Sequence, residues 1–493
     1  MIFMVAIREA IIWTGNLLNV MKYFKPEVNL ANQEVDAEFS NANFVLSLQK
    51  GAQAGDPRIQ YELGQALYYG LYDLEEDEGQ ALSWFEKAAG QEFAEAQQIL
   101  GDWYADGIVV SQDYLKALDL YRRASGNGCV ESTVNLGNLY AEGLGVQKNG
   151  KRALELMTAA AKNNCIRGKR MLGLYYANAV GTEKNMKKAL SWWRAAADDN
   201  DSSAAYLIGS VYYNGDDIDE DLETAVYWFQ KAVAMEGAGA DLAKFSLGVC
   251  QYYGLGCNED DASAYQNFVA ASEGGISKAT YYMGLCNFFG YGTEQDYHYA
   301  FKCFTASSND DPRAAFYLGE CYRGGKGIGK DAKVAFGFYL QSAMNEFTEA
   351  YMAIGRAFYL GEGVEEDNQD AVKWLEVAAK SENHEAQFLL GECYLKGFGV
   401  AVDLRRASLL LRSSSDQGNR SATQMLSEHA DDLDETEEKK GAEQDGDNVF
   451  DLGTTLTFGA RRLYSKNFQG GSLNDYNRVR ENVIELHSPA RAS

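Results

Sequence analysis

Proline and histidine are scarce, four of each in 493 residues, and 45 Lys and Arg face 71 Asp and Glu. So little proline leaves helices uninterrupted, and so little histidine withholds the commonest catalytic base and zinc ligand. None of His298, His384, His429 and His487 has a second His three or four residues away or a Cys at zinc spacing. A net charge of -26 argues against nucleic acid or anionic lipid as the main partner, because phosphates would be repelled rather than bound with counterion release. With 46% hydrophobic residues the chain can bury a large core, so disorder throughout is excluded.

What is abundant is glycine, 49 residues, and it recurs. A Gly after an aliphatic residue stands at 64, 101, 137, 173, 209, 248, 284, 319, 355 and 391, with steps of 35 to 39. Taking this marker as zero, Ala stands at +16 in repeats two to ten, from Ala117 to Ala407, and one later, at Ala81, in the first. A second Gly stands at +6 in nine repeats, the fourth having Ala179 instead, and Asp or Asn at +12 in repeats two to ten. The spacing predicts two helices per repeat. The +6 Gly ends the first in the left-handed conformation that a Cβ disfavours, and the +12 side chain caps the second. Asp56-Pro57 and Asp311-Pro312 read as helix starts, the Asp capping and the Pro at the first helical position. The marker sits inside a helix, where Gly costs about 1 kcal/mol relative to Ala. Its expected reason is close helix approach, small facing small at the +16 Ala, with Trp84, Trp192, Trp228 and Trp374 filling the space beside. Helix pairs of this kind cannot bury their apolar faces alone and must stack.

The segments "AQFLLGECYLKGFGV" (386 to 400) and "ALSWWRAAA" (189 to 197) carry a pattern that resembles the Sel1-like repeat, a relative of the tetratricopeptide repeat. The resemblance covers residues 56 to 427 and implies an all-α, right-handed superhelical α-solenoid of about ten helix-turn-helix repeats. It also implies a scaffolding role in signalling or envelope machinery, membrane-associated protein degradation or engagement of host proteins. Repeats one, two and five depart from the pattern by lacking the second loop Gly.

Residues 1–55 are expected to form an N-terminal helical cap or weak anchor. Residues 1–24 are apolar but broken by Arg8 and Glu9, and too short and interrupted to read as a membrane span. A cap is preferred to an interfacial anchor because an array must cover its end, and a natural start at Met21 is a third reading. Residues 428–451, with 11 acids and 2 lysines, read as a disordered linker, and residues 452–493 as a mildly basic tail holding a short helix or a linear motif.

Motifs of chemistry fail on context. "GGKGIGKD" (324 to 331) imitates a phosphate loop, but Asp331 replaces the Ser or Thr and a helix rather than a strand precedes it. "DDIDEDLE" (216 to 223) begins like a calcium loop, yet Leu222 and Trp228 replace the required Gly and Glu. Cys250, Cys286, Cys321 and Cys393 share slot +2, and Cys129 and Cys165 share +28. Equivalent positions on stacked helices lie about 8–10 Å apart, too far for a disulfide. Exported Sel1-like proteins with stapling cysteine pairs have a frame that this sequence lacks, which favours a reducing, cytoplasmic setting. No S-x-x-K supports the β-lactam chemistry associated with some members. No catalytic residue, metal or cofactor is expected.

The expected binding surface lies on the first helices, at -3, +1 and +4. Slot -3 holds Tyr61, Tyr206, Phe245, Tyr281, Phe316 and Phe388, and slot +4 holds Tyr68, Tyr213, Tyr252, Phe288 and Tyr359. Glu320, Arg356 and Glu392 at +1 add charge selectivity. The function that follows is a non-enzymatic adaptor holding a protein or peptide partner on the concave face of the array. The alternative is a regulatory or substrate-presenting subunit of an enzyme complex, or a hydrolase with an unrecognised site.

Overall fold

The computed structural model describes residues 37–215, 217–430 and 433. Among these the chain is all helix, without strands, and it divides into two compact units, Met1–Ala240 and Asp241–Ser493. In the first, a helix over Ala37–Gln53 precedes five pairs: Pro57–Tyr68 with Glu78–Gly90, Ala94–Asp106 with Tyr114–Gly126, Val130–Glu142 with Gly150–Lys162, Ile166–Ala177 with Met186–Asp198, and Ser202–Asn214 with Leu222–Val233. The sixth repeat pairs Ala238–Tyr253 with Asp261–Glu273. Then follow Ser277–Phe289 with Tyr297–Ser307, Pro312–Gly324 with Ala332–Ala343, Thr348–Leu360 with Asn368–Lys380, and His384–Lys396 with Leu404–Asp416. Arg420–Glu428 supplies the first helix of an eleventh repeat. Within each compact unit a first helix packs on its own second helix, and that second helix on the next first helix. Residues 1–24, the segment beyond Leu433 and the basic tail lie outside the described residues.

The local signals act as their chemistry dictates. Gly107, Gly143, Gly215, Gly290, Gly325, Gly361 and Gly397 close first helices at φ between 65° and 80°. Ala179, at the same slot, is held at φ 57° despite its Cβ. Asp113 Oδ1 accepts from the Leu115 and Lys116 amides at 3.0 and 3.1 Å, and Asn149, Asn185, Asp221, Asp260, Asp296, Asp331, Asp367 and Asp403 cap their second helices likewise. The backbone amide of this cap residue also donates to the +3 carbonyl of the first helix, as Asp113 does to Tyr104 at 2.8 Å. The two helices are thus latched across the loop. Asp56 and Asp311 cap helices that open on proline.

The marker glycine comes close to the +16 Ala in some repeats, but its nearest neighbour is a larger side chain. A Cβ on Gly101, Gly209 or Gly248 would lie 2.6, 2.6 or 2.8 Å from the ring of Tyr121, Phe229 or Phe268. That ring belongs to slot +20 of the second helix, one turn beyond the Ala. Small therefore faces large: the missing Cβ opens a seat for a side chain buried at 0–3% exposure. The +16 alanines are fully buried too, but in two of these repeats they offer the glycine a carbonyl rather than a methyl, Ala225 O at 3.2 Å and Ala264 O at 3.3 Å. The second loop glycine has its own reason. A Cβ on Gly145 would lie 2.5 Å from the carbonyl of Tyr114, and Gly181, Gly292, Gly327, Gly363 and Gly399 abut the corresponding carbonyl of the preceding repeat even more closely.

Gly284→Ala should therefore lower the thermal midpoint, because its Cβ would meet Phe304 at 2.5 Å. Overpacking of about 1–3 kcal/mol outweighs the helix propensity gained, about 1 kcal/mol. Gly90→Ala, with nothing within 4 Å, should leave the midpoint unchanged or raise it. Melting curves of both variants check the pair, and a Gly284→Ala protein as stable as the parent would contradict the seat.

Candidate functional site

The seat decides which aromatics are available to a partner. Rings at -3 and +4 of a first helix flank the +20 residue of the same repeat. Tyr61 lies 5.7 Å from Phe85, which sits one residue later in the longer first repeat. Tyr206 and Tyr213 lie 6.0 and 6.3 Å from Phe229, and Phe245 and Tyr252 both 6.3 Å from Phe268. Tyr281 and Phe288 lie 6.2 and 6.1 Å from Phe304, and Phe316 lies 5.8 Å from Tyr339. Tyr68, Tyr281 and Phe288 are only 6, 4 and 4% exposed, so as a groove lining these three are corrected to core. The others are half-buried; Phe388 and Tyr359 pack against the core of the second compact unit, Tyr359 6.2 Å from Phe398.

Contacts between neighbouring first helices run along slots -6, -2, +1 and +5, whose spacing of four, three and four marks one helical face. In the first compact unit this stripe is polar between repeats two and three, where Asn135 at -2 donates to Asp102 at +1 of the preceding repeat at 2.9 Å, and apolar in repeat four, at Met171 and Leu174. In the second unit it is aromatic in repeats six to eight. Tyr253 and Phe289, both at +5, and Tyr291, two residues beyond Phe289 in the loop, are 53, 43 and 42% exposed. Phe289 stacks on Tyr291 at 5.4 Å and meets Tyr317 edge-on at 6.0 Å. Arg313 at -6 lies 4.3 Å over the Tyr281 ring and is clamped by Asp311 at 2.6 Å. Further on the stripe becomes ionic. Arg356 at +1 bridges Glu320 at 3.6 Å and Glu385 of the next repeat at 3.2 Å. Glu392 at +1 pairs with Lys396 at 2.6 Å.

The exposed aromatics Tyr253, Phe289 and Tyr291 escape a reading confined to -3, +1 and +4. For Tyr253 and Phe289 the signal in the sequence is the aromatic doublet, as in Tyr252-Tyr253, Tyr281-Tyr282, Phe288-Phe289 and Phe316-Tyr317, whereas Tyr291 stands alone between two loop glycines. In each doublet, the first ring serves the repeat's own seat, and the second, about 100° further round the helix, turns to the stripe.

Two acids at +1 share an arrangement and differ in electrostatics. Tyr121 and Tyr339, the +20 rings, each donate their hydroxyl at 2.6 Å, to Asp102 and Glu320 respectively. Burial pushes the Asp102 carboxyl up to about 6, outweighing the Tyr121 hydrogen bond and the Arg167 charge; residue 102 keeps some solvent contact through other atoms, but its carboxyl is enclosed. Burial also acts upward on Glu320, but the hydrogen bonds of Arg323 and Tyr339 and the charges of Arg323 and Arg356 hold it below the usual range. Among the described residues no group of three or more His, Cys, Asp or Glu is placed to hold a metal, and no helix is long and apolar enough to cross a membrane.

A caped helix pair, a glycine seat for the second helix and a stripe joining successive first helices together define a helix-pair repeat protein of the tetratricopeptide-like class. The family model described as "Sel1 repeat" matches residues 57–92, 94–129, 130–165, 167–201, 202–236, 241–276, 277–311, 312–347, 348–383 and 384–419, and the chain belongs to that family, whose repeats serve as protein-interaction scaffolds. No curated protein matches the chain. Among solved structures it is similar to a protective antigen of uropathogenic Escherichia coli with an SLR fold, at 22% identity and a TM-score of 0.57, over 91% of this chain and 98% of that one. A Sel1 repeat protein from Oxalobacter formigenes matches at 23% identity and a TM-score of 0.36, over 76% of this chain and 99% of that one. At 22% identity the likeness to the antigen concerns the fold.

Because the folded-state value of Asp102 lies above its ordinary 3.8, the folded protein holds the proton that the unfolded chain releases between about pH 4 and 6. The group's contribution is thus fully favourable below about pH 4 and is lost as pH rises through 6. Asp102→Asn removes this dependence. Urea midpoints at pH 4.5, 5.5 and 7 should show the parent losing stability relative to the variant as pH rises, and the opposite slope would contradict the assignment.

Proposed function

We propose that the protein is a non-enzymatic adaptor that holds a protein or peptide partner on the first-helix stripe of its second compact unit. The observation that carries this reading is the exposure of Tyr253, Phe289 and Tyr291, where Phe289 packs on Tyr291 and Tyr317 and the Tyr252 ring links Tyr291 to Tyr253. Rings left half in water lose little entropy on binding and offer large apolar faces, which is why aromatic residues dominate interface hot spots. The ionic run Glu320–Arg356–Glu385 lies on the same stripe and supplies charge selectivity and register. The stripe belongs to the inner, concave side of the array in this reading. Support comes from first helices of neighbouring repeats that touch directly, as Val130–Glu142 does Ile166–Ala177 and Thr348–Leu360 does His384–Lys396. Of the groove residues expected from sequence, this reading keeps Glu320, Arg356 and Glu392, which lie on the stripe with side chains 20, 14 and 14% exposed, and half-buried Tyr252, whose ring lies 5.9 Å from Tyr291.

The test is cross-linking capture from the native cell with the intact chain and with Tyr253, Phe289 and Tyr291 all changed to Ala, after circular dichroism has verified that helix content is equal. Truncating a hot-spot ring costs about 2 kcal/mol or more, so the triple variant should bind its partner at least about a hundredfold more weakly. Identical captures by both proteins would remove the aromatic cluster as the working surface.

A further inference from the structure

The molecule carries a second surface of opposite character on its second helices. Within an acidic chain, residues 148–194 hold 11 Lys and Arg against Glu155 and Glu183. Six of the cations fall into two equivalent triplets at slots +11, +14 and +15: Lys148, Lys151 and Arg152 in repeat three, and Lys184, Lys187 and Lys188 in repeat four. All six are exposed. The same slots hold Glu220, Glu223 and Thr224 in repeat five and Glu366, Gln369 and Asp370 in repeat nine, so the repeat architecture does not require basic residues there.

The fold brings the triplets together. Gly181, at φ 71°, packs on the first residue of the preceding second helix; a Cβ on Gly150 would lie 2.8 Å from the Gly181 amide nitrogen. The loop leading to Lys184 is therefore fastened to the helix end that bears Lys151 and Arg152. Helix stability does not explain the cations, since each triplet surrounds a helix N-terminus, where the macrodipole disfavours positive charge. Nor do the helix amides need them, because Asn149 and Asn185 cap Arg152 N and Lys188 N at 3.0 and 2.9 Å. Internal neutralisation is partial: Arg152 pairs with Glu155 at 2.7 Å, Lys184 pairs with Asp217, and Lys188 lies 5.0 Å over the Tyr176 ring. Lys148, Lys151 and Lys187 make no ion pair among the described residues.

We infer that this basic band is a docking site for a short, extended Asp/Glu-rich segment of a partner protein. Its width favours a peptide over a polyphosphate or a bilayer. The band is two repeats wide, roughly 20 Å at about 10 Å per repeat, and it ends at Glu220 and Glu223. A nucleic acid or a membrane presents negative charge well beyond that width and would meet those acids and the remainder of a chain of net charge -26. A short acidic strand engages the cations alone. The band is separate from the aromatic stripe, so failure of either reading leaves the other standing.

The test is fluorescence anisotropy of a labelled peptide of two Glu-Glu-Ser triplets, about 20 Å when extended, with the full chain. The peptide should bind, and binding should weaken steeply with salt. The variant combining Lys148→Gln, Lys151→Gln, Lys184→Gln and Lys187→Gln should lose at least about tenfold in affinity, and the control Lys333→Gln with Lys380→Gln should lose none. The inference is overturned if the peptide does not bind, if the quadruple variant binds it equally, or if an RNA oligonucleotide of equal charge or phosphatidylserine vesicles bind the same lysines more tightly.

Discussion

The seating of a large second-helix side chain on a glycine of the first helix is the constraint on which the structure depends. A glycine inside a helix is unfavourable by about 1 kcal/mol, and this chain accepts it ten times. In return Phe85, Tyr121, Met157, Trp193, Phe229, Phe268, Phe304, Tyr339, Leu375 and Leu411 are buried against the backbone of their partner helix. The occupant varies from Leu to Trp while the glycine does not, so the seat is fixed and its filling adjusts. Rings at -3 and +4 then close round the occupant, which consumes much of the first helix's aromatic content.

What remains on the first helix is the stripe at -6, -2, +1 and +5, and its chemistry is set repeat by repeat. The same pairing of a +1 acid with a +20 tyrosine leaves Asp102 short of positive charge and easily protonated, whereas Glu320 is held ionised by two guanidinium groups. A Sel1 scaffold thus separates what must be constant from what is free to specialise. Caps, seats and loop glycines build the array, and the stripe and the second-helix ends carry aromatic, ionic or basic character without disturbing it.

Most of the architecture was legible because backbone requirements leave residue-specific marks. The left-handed +6 position favours Gly, and the +12 cap favours a short acceptor. Ala179 was correctly a departure in the loop alone, adopting φ 57° with the helix pair intact. The close approach at the marker glycine is legible, but its main partner is not, since the regular spacing to Ala at +16 is visible in sequence while the +20 slot, filled by five residue types, hides its periodicity. Which aromatics are exposed is hidden in the sequence for a related reason. One residue is about 100° of helix, so in Phe288-Phe289 the sequence alone does not say which ring is buried; contact with Phe304 decides it at 6.1 Å. The basic triplets needed no structure to be counted, only to be brought side by side by the Gly150–Gly181 contact.

The central claim is that marker glycine and +20 ring act as one unit, and a double-mutant cycle tests it most directly. Gly248→Ala, Phe268→Leu and the two combined would be compared by urea denaturation. The account predicts strong coupling: the smaller Leu leaves room for the new methyl, so the double variant is less destabilised than the sum of the single ones by about 1 kcal/mol or more. Additive losses would mean that the ring does not depend on the missing Cβ, and that the glycine is required for another reason.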